Sequence, residues 1–395
     1  MLNRSTLTKL TAVTALVAGS VLPAGAASAQ DSGRVVIDLS LAESGGSALD
    51  TSILASQQTF QSADEVIVAT AADGADALAS GSLQSGVGGA AATTVDGEAV
   101  EARPLFLVDP TEELPLALLQ EMQRLGASRI IVLGGESAIP ADIADGLENG
   151  GSEVSRMGGT TRLATAVEIA EYVLAQSDVD VMYLSRAFGT ATDSDTAFAD
   201  SSALGGWAAS SGAPILLTET ESLSLETQAF LLGDDVLNQV STIEIIGGPA
   251  AISEGVEGEV ADGGMEVTRI GGNTRDETAV DIAEARGMTT PSELIVTEGF
   301  ASDFFVSSFT IAAYSGLFDA PVVLSNTDLL PNSTIDFIGT ADPALADSGV
   351  VAQCTPAVVA SVCAQVADLT GAQVQEVGPG GLLDGGGSGA GDLPI

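Results

Sequence analysis

The 395-residue chain has no histidine, only two cysteines, no lysine beyond Lys9, and just 4% aromatic residues. Without imidazole it can build neither a His-bearing triad nor His-ligated zinc. Without lysine past the N-terminal segment it can supply neither Schiff-base chemistry nor a P-loop. Beyond residue 29, ten arginines stand against all 54 acidic residues, a net charge of −44. That balance excludes electrostatic binding to nucleic acid, which requires a basic stripe to displace counterions. What is present is an apolar fraction of 45%, enough for a large core, in a length that suits two to four domains.

Residues 1–29 have the pattern of a signal peptide: Arg4 and Lys9 form a positive start, Leu10 to Leu22 an apolar run, and Ala27-Ser28-Ala29 a cleavage site. As a membrane anchor the run is short of the ~20 residues a span needs. The Gly-rich stretch 379–395 offers no hydrophobic tail, so surface retention is expected to be non-covalent. In an exported chain the isolated pair Cys354 and Cys363 is read as a disulfide stapling a strand end to a helix. Such a short loop contributes about 2–3 kcal/mol in the entropic account. A catalytic thiol would need a base that the chain does not provide.

The chain repeats itself. Ser128–Glu171 laid over Ser241–Glu284, an offset of 113 without a gap, gives 21 identities in 44 positions. The matches include Gly134-Gly135 with Gly247-Gly248, Arg156 with Arg269, Arg162 with Arg275, and Thr165 with Thr278. A weaker echo a further 113 residues upstream places Leu49 under the second arginine. Another recurring element runs from Asp76 toward Pro104–Leu107, from Asp200 toward Ala213–Leu217, and from Asp303 toward Ala320–Leu324. The resulting organisation is an N-terminal strand or extension over 30–46, three units over 47–159, 160–272 and 273–378, and a flexible tail over 379–395.

Within a unit, continuous apolar runs such as Ile130–Leu133 alternate with amphipathic stretches such as Leu116–Leu125. Buried strands alternating with helices predict an α/β fold with a parallel sheet in each unit. The glycine pairs fall between strand and helix, where a tight turn wants positive φ. They lack the full spacing of a dinucleotide loop.

The strings Ile-Gly-Gly-x-x-Ala-Ile at 246–252, Arg-Ile-Gly-Gly-x-x-Arg-x-x-Thr-Ala at 269–279 and Ala-Pro-Ile-Leu-Leu at 213–217, with Arg156–Ala166 as a second copy, resemble the cell wall-binding repeat 2 family over residues 47–378. The resemblance implies three Toprim-like layer modules packed as a pseudo-threefold trimer. It also implies non-covalent attachment of a secreted protein to an anionic cell-wall polysaccharide on a Gram-positive-type surface, without catalysis. Relatives often add a separate functional domain, for which this chain is expected to leave no room. The first unit departs by lacking the arginine, and the third by carrying Gln353-Cys354 in place of a glycine pair.

Two readings stay open for Arg156, Arg162, Arg269 and Arg275. Each bridges to acidic partners such as Glu168 or Asp281 and pins a module junction, or its guanidinium grips polymer oxygens. Likewise Asp76, Asp200 and Asp303 either cap the following helix or serve as hydroxyl or cation ligands at the ends of parallel strands. A chain this acidic should repel a polyanion. A local arginine patch, a neutral glycan, or Ca²⁺ or Mg²⁺ bridging carboxylates to wall phosphates resolves the conflict, and bridging is the expectation preferred here. No resident cofactor is expected. The alternatives are an S-layer-like structural subunit and a metal-dependent hydrolase. For the hydrolase, Asp178–Asp180 and Asp193–Asp195 have the letters of an Asp-x-Asp pair but not its position at a strand end.

Overall fold

Short β-branched and leucine-rich runs such as Leu105–Val108, Ile215–Thr218 and Leu294–Glu298 form strands that are buried on both faces, the pattern expected where helices cover a parallel sheet. The structure is a computed structural model that describes residues 34–39, 46–190, 198, 200–301, 305–345 and 349–377. The signal-like leader, Asp303, Asp193–Asp195 and the Gly-rich tail lie outside the described residues. The strands are β1 (Val35–Asp38), β2 (Phe60–Ala63), β3 (Glu65–Thr70), β4 (Ala91–Thr94), β5 (Ala99–Glu101), β6 (Leu105–Val108), β7 (Arg129–Leu133), β8 (Glu153–Met157), β9 (Val181–Arg186), β10 (Ile215–Thr218), β11 (Thr242–Ile246), β12 (Glu266–Ile270), β13 (Leu294–Glu298), β14 (Val322–Ser325), β15 (Val350–Cys354) and β16 (Gln373–Glu376).

They form three parallel sheets, ordered β6-β3-β7-β8, β10-β9-β11-β12 and β14-β13-β15-β1-β16. The first four positions follow one pattern in all three. The fold is therefore α/β with parallel sheets, as the alternation of patterns predicts. A small antiparallel sheet, β2-β4-β5, interrupts the first unit. In the third sheet the fourth position is filled by β1, the most N-terminal described strand, which pairs in parallel with both β15 and β16. The extension therefore belongs to the third sheet.

Three helices lie at matching places. Ala48–Thr59 packs on β6, Arg162–Gln176 on β10 and Arg275–Ala285 on β14. Each starts at a hydroxyl residue in extended conformation, Ser47, Thr161 or Thr274, whose side chain accepts from the N–H three residues on. A second set, Gly81–Gln84, Ser201–Ser211 and Ala312–Phe318, meets at one place. Small residues allow the approach: a Cβ on Gly81 would lie 2.8 Å from the Gly205 carbonyl oxygen, and one on Gly316 3.0 Å from Ala209 Cβ. The Gln84 amide ties the first unit to the third, donating to the Phe309 carbonyl at 2.9 Å and accepting from the Ala313 N–H at 3.1 Å.

This geometry corrects two registers. Aligned by their caps, the residue at the arginine position of the first unit is Ala48, not Leu49. Thr51 then matches Thr165 and Thr278, each donating its N–H to the cap carbonyl. In the third unit Ile295 pairs with Gln353 just as Ile67 pairs with Ile131 and Tyr183 with Glu244. Counting on three residues from Ile131, Glu244 and Gln353 reaches Gly134, Gly247 and Pro356. Gln353 and Cys354 are thus strand residues, and Pro356-Ala357 replaces the glycine pair. The expected disulfide is also absent: Cys354 and Cys363 are free thiols, both buried. They lie within hydrogen-bonding reach of each other, and burial drives the Cys354 pKa up.

Candidate functional site

The repeated residues gather where one unit meets the next. Asp76 follows β3 of the first unit, and its carboxylate is hydrogen-bonded to Thr165 on the first helix of the second unit. Asp200 repeats this one unit later with Thr278. Neither aspartate makes a side-chain cap to the helix it precedes, so the capping reading fails. Both are buried, which pushes both carboxyl pKa values up against the opposing hydrogen bond from threonine. The carboxylates also explain the glycines. Gly134 and Gly247 have φ of +92° and +106°, and a Cβ on Gly247 would lie 2.6 Å from Asp200 Oδ2. One on Gly134 would press still closer on Asp76 Oδ2.

The four arginines divide into two kinds. Arg156 donates to the carbonyls of Gly134 (2.7 Å) and Ile139 (2.9 Å). Arg269 donates to the Gly247 carbonyl at 2.9 Å and pairs with Glu257 at 2.7 Å. This pair fixes the glycine turns. Glu168 is not an arginine partner here; it accepts from the Gly158 N–H at 2.8 Å. Asp281 pairs with no arginine among the described residues, and burial raises its pKa.

Arg162 and Arg275 sit at the unit junctions. Arg162 Nη1 donates to the Ala187 carbonyl at 2.9 Å, and Nη2 reaches Asp73 at 3.8 Å. Arg275 Nη1 donates to the Gly299 carbonyl, and its charge acts on Asp200. Sequence reasoning missed the partner beside each: Arg162 Cζ lies 5.3 Å from the Phe188 ring centroid, and Arg275 Cζ 4.8 Å from that of Phe300. These two phenylalanines are 41% and 38% exposed. The repeat contains the signal, because Arg186-Ala187-Phe188 and Glu298-Gly299-Phe300 end equivalent strands, but it lies outside the glycine and arginine strings.

Among the described residues, no group of three or more carboxylates or thiols is placed to hold a metal ion. Among the same residues no helix is long and apolar enough to cross a membrane. Asp178 and Asp180 precede β9, at the end of the sheet opposite the glycine turns.

Comparison with known proteins agrees with this arrangement. The family described as Cell wall binding domain 2 (CWB2) matches residues 156–257 and 269–359. N-acetylmuramoyl-L-alanine amidase LytC of Bacillus subtilis (strain 168) is 25% identical over 200 residues, 51% of this chain and 35% of LytC. Two solved structures share the fold: Cwp6 from Clostridium difficile, with a TM-score of 0.69 and 19% identity, and Cwp8 from the same organism, with 0.65 and 22%. Each alignment covers 85% of this chain, against 48% of Cwp6 and 52% of Cwp8. The chain thus spans about a third to a half of the length of these relatives.

Proposed function

Because residues 156–257 and 269–359 make this chain a member of the cell wall binding domain 2 family, a wall-binding protein located at the cell wall or surface, we propose that it is a secreted, non-catalytic anchor. It is an array of three repeat modules that attaches non-covalently to an anionic secondary cell-wall polymer. The three modules are Toprim-like layers disposed about a pseudo-threefold axis. The common strand order of the three sheets and the meeting of Gly81–Gln84, Ser201–Ser211 and Ala312–Phe318 support that reading. The observation that carries the function is the family match together with the junction site that recurs within it. Arg162 beside the exposed Asp73, and Arg275 at the equivalent junction, present a guanidinium fork, the donor that an anionic polymer needs, while the buried Asp76 and Asp200 behind them hold the junctions. Arg156 and Arg269 serve the fold instead, because their donors are spent on the glycine turns and, for Arg269, on Glu257.

The polymer must be met despite the charge of the chain. Arginine acts within a Debye length of about 8 Å, so a junction attracts locally what the whole surface repels. Ca²⁺ or Mg²⁺ then bridges scattered surface carboxylates to wall phosphates, with no preformed cage in the protein. Co-sedimentation of residues 30–395 with isolated walls tests the proposal, using walls intact and stripped of phosphodiester-linked polymer, with and without chelator. Binding to intact walls only supports the anchor, and loss on chelation supports bridging. Absence of binding to either wall refutes the function.

A further inference from the structure

Phe188 and Phe300 are the exposed aromatic side chains among the described residues. The other described aromatics are buried or half-buried, as expected of a chain with so few. That both exposed rings occupy one position in the repeat is therefore informative. The backbone fixes the equivalence: Ala71 N–H donates to Val108, Ala187 to Thr218 and Gly299 to Ser325, at 2.8, 2.7 and 3.0 Å. The residues that follow are Ala72, Phe188 and Phe300.

The arginines follow the same rule. The first residue after the helix cap is Ala48 in the first unit, Arg162 in the second and Arg275 in the third. Ring and guanidinium are thus present together in two units and absent together in the first, where two alanines stand. A junction that needed the arginine only for its backbone bond would have no reason to lose the phenylalanine with it. An exposed phenyl ring costs solubility in water and contributes little to the core, so its retention beside an arginine points to a ligand with an apolar face and polar edges.

We infer that Phe188 with Arg162, and Phe300 with Arg275, are two saccharide-binding subsites, and that the first unit has none. A pyranose ring lays its C–H face on the phenyl, and its hydroxyl or acidic oxygens accept from the guanidinium. Asp73, 61% exposed and 3.8 Å from Arg162, is placed to accept a sugar hydroxyl at the first subsite. The inference rests on the wall-binding reading and gives it a stoichiometry: two rings engaged per chain, not three.

The probe is the soluble polysaccharide freed from the walls of the source organism by hydrofluoric acid, size-fractionated to short fragments and titrated calorimetrically against residues 30–395. The wild-type chain should bind two fragments. Phe188→Ala and Phe300→Ala should each bind one, the double variant should lose binding at least tenfold, and Phe300→Tyr should retain it. Melting temperatures report whether the variants fold. A double variant that folds and binds like wild type overturns the subsites, as does a wild-type count of three. Failure of the wild-type chain to bind intact walls at all would instead overturn the wall-binding function.

Discussion

Glu293 provides a quantitative test of the packing within the third unit. It stands two residues before Ile295, where Glu65 stands before Ile67 in the first sheet. Glu65 pairs with Arg103 and with Arg129. Among the described residues Glu293 has no such cation: its oxygens accept from the Tyr314 hydroxyl at 3.0 and 3.1 Å and from Gln353 Nε2 at 2.7 Å. Asp96, on the β4–β5 turn, acts on the Tyr314 hydroxyl from a facing element and is also negative, so it supplies no counter-charge. Burial therefore dominates and raises the Glu293 pKa to about 7, from an ordinary 4.5, against the opposing hydrogen bonds. At about 1.4 kcal/mol per pH unit, that interval makes ionising Glu293 in the folded chain cost about 3 kcal/mol. Between pH 4.5 and 7 the folded chain holds a proton that the unfolded chain has released. This contribution to stability is complete below 4.5 and is lost as pH rises to 7. Self-repulsion among the many other carboxylates gives a slope of the same sign, so the difference between wild type and Glu293→Gln isolates the residue. Gln cannot ionise and keeps the size and an acceptor for Tyr314. Urea unfolding should show the two proteins within about 1 kcal/mol at pH 4, and the variant more stable by about 3 kcal/mol at pH 8. An equal difference at both pH values would refute the reasoning, because Glu293 would then not be titrating in this interval.

Gly247→Ala should lower stability by at least about 2 kcal/mol, from positive φ and from displacing Asp200 off Thr278. In the Asp200→Ala background the same change should cost clearly less by urea midpoint, whereas strict additivity would mean that no clash exists. Arg156→Ala should cost about 1–3 kcal/mol, because the Gly134 and Ile139 carbonyls lose their donors. Co-sedimentation of the folded variant with walls should be unchanged, and a selective loss of binding would return Arg156 to the polymer site. The buried thiols of Cys354 and Cys363 should be silent toward Ellman's reagent in the folded chain and react together after denaturation. No reaction in denaturant would mean that the disulfide forms in solution.

The parts of the fold legible in the sequence were those that local chemistry determines. Strands such as β7 and β13 are continuous apolar runs whose pattern cannot serve an amphipathic helix, and the helix beginning at Arg162 follows a threonine that caps it. Registers were less legible, because an offset carried over from one pair of units assumes that no residue is gained or lost in the third. The cap at Ser47 shows one residue of slippage, which moves the arginine position from Leu49 to Ala48. The register at Gln353 is hidden for a different reason. In the third unit Pro356-Ala357 stands where the other turns have two glycines, so no motif marks the place and only the pairing of Ile295 with Gln353 fixes it. The candidate site was half legible for the same reason. An arginine that recurs draws the eye because ten of them stand among so many acids, while Phe188 and Phe300 read as ordinary apolar residues at the ends of strands. Only the fold places them in water beneath a guanidinium. The same contrast separates the two arginine pairs: one sequence repeat holds both, but Arg156 and Arg269 bond the carbonyls of the glycine turns, Arg269 with Glu257 besides, whereas Arg162 and Arg275 lie against rings that open to solvent. Recurrence within a chain therefore marks what the fold must conserve at every junction, and the positions where it lapses in concert, Ala48 with Ala72, mark what it does not need for folding.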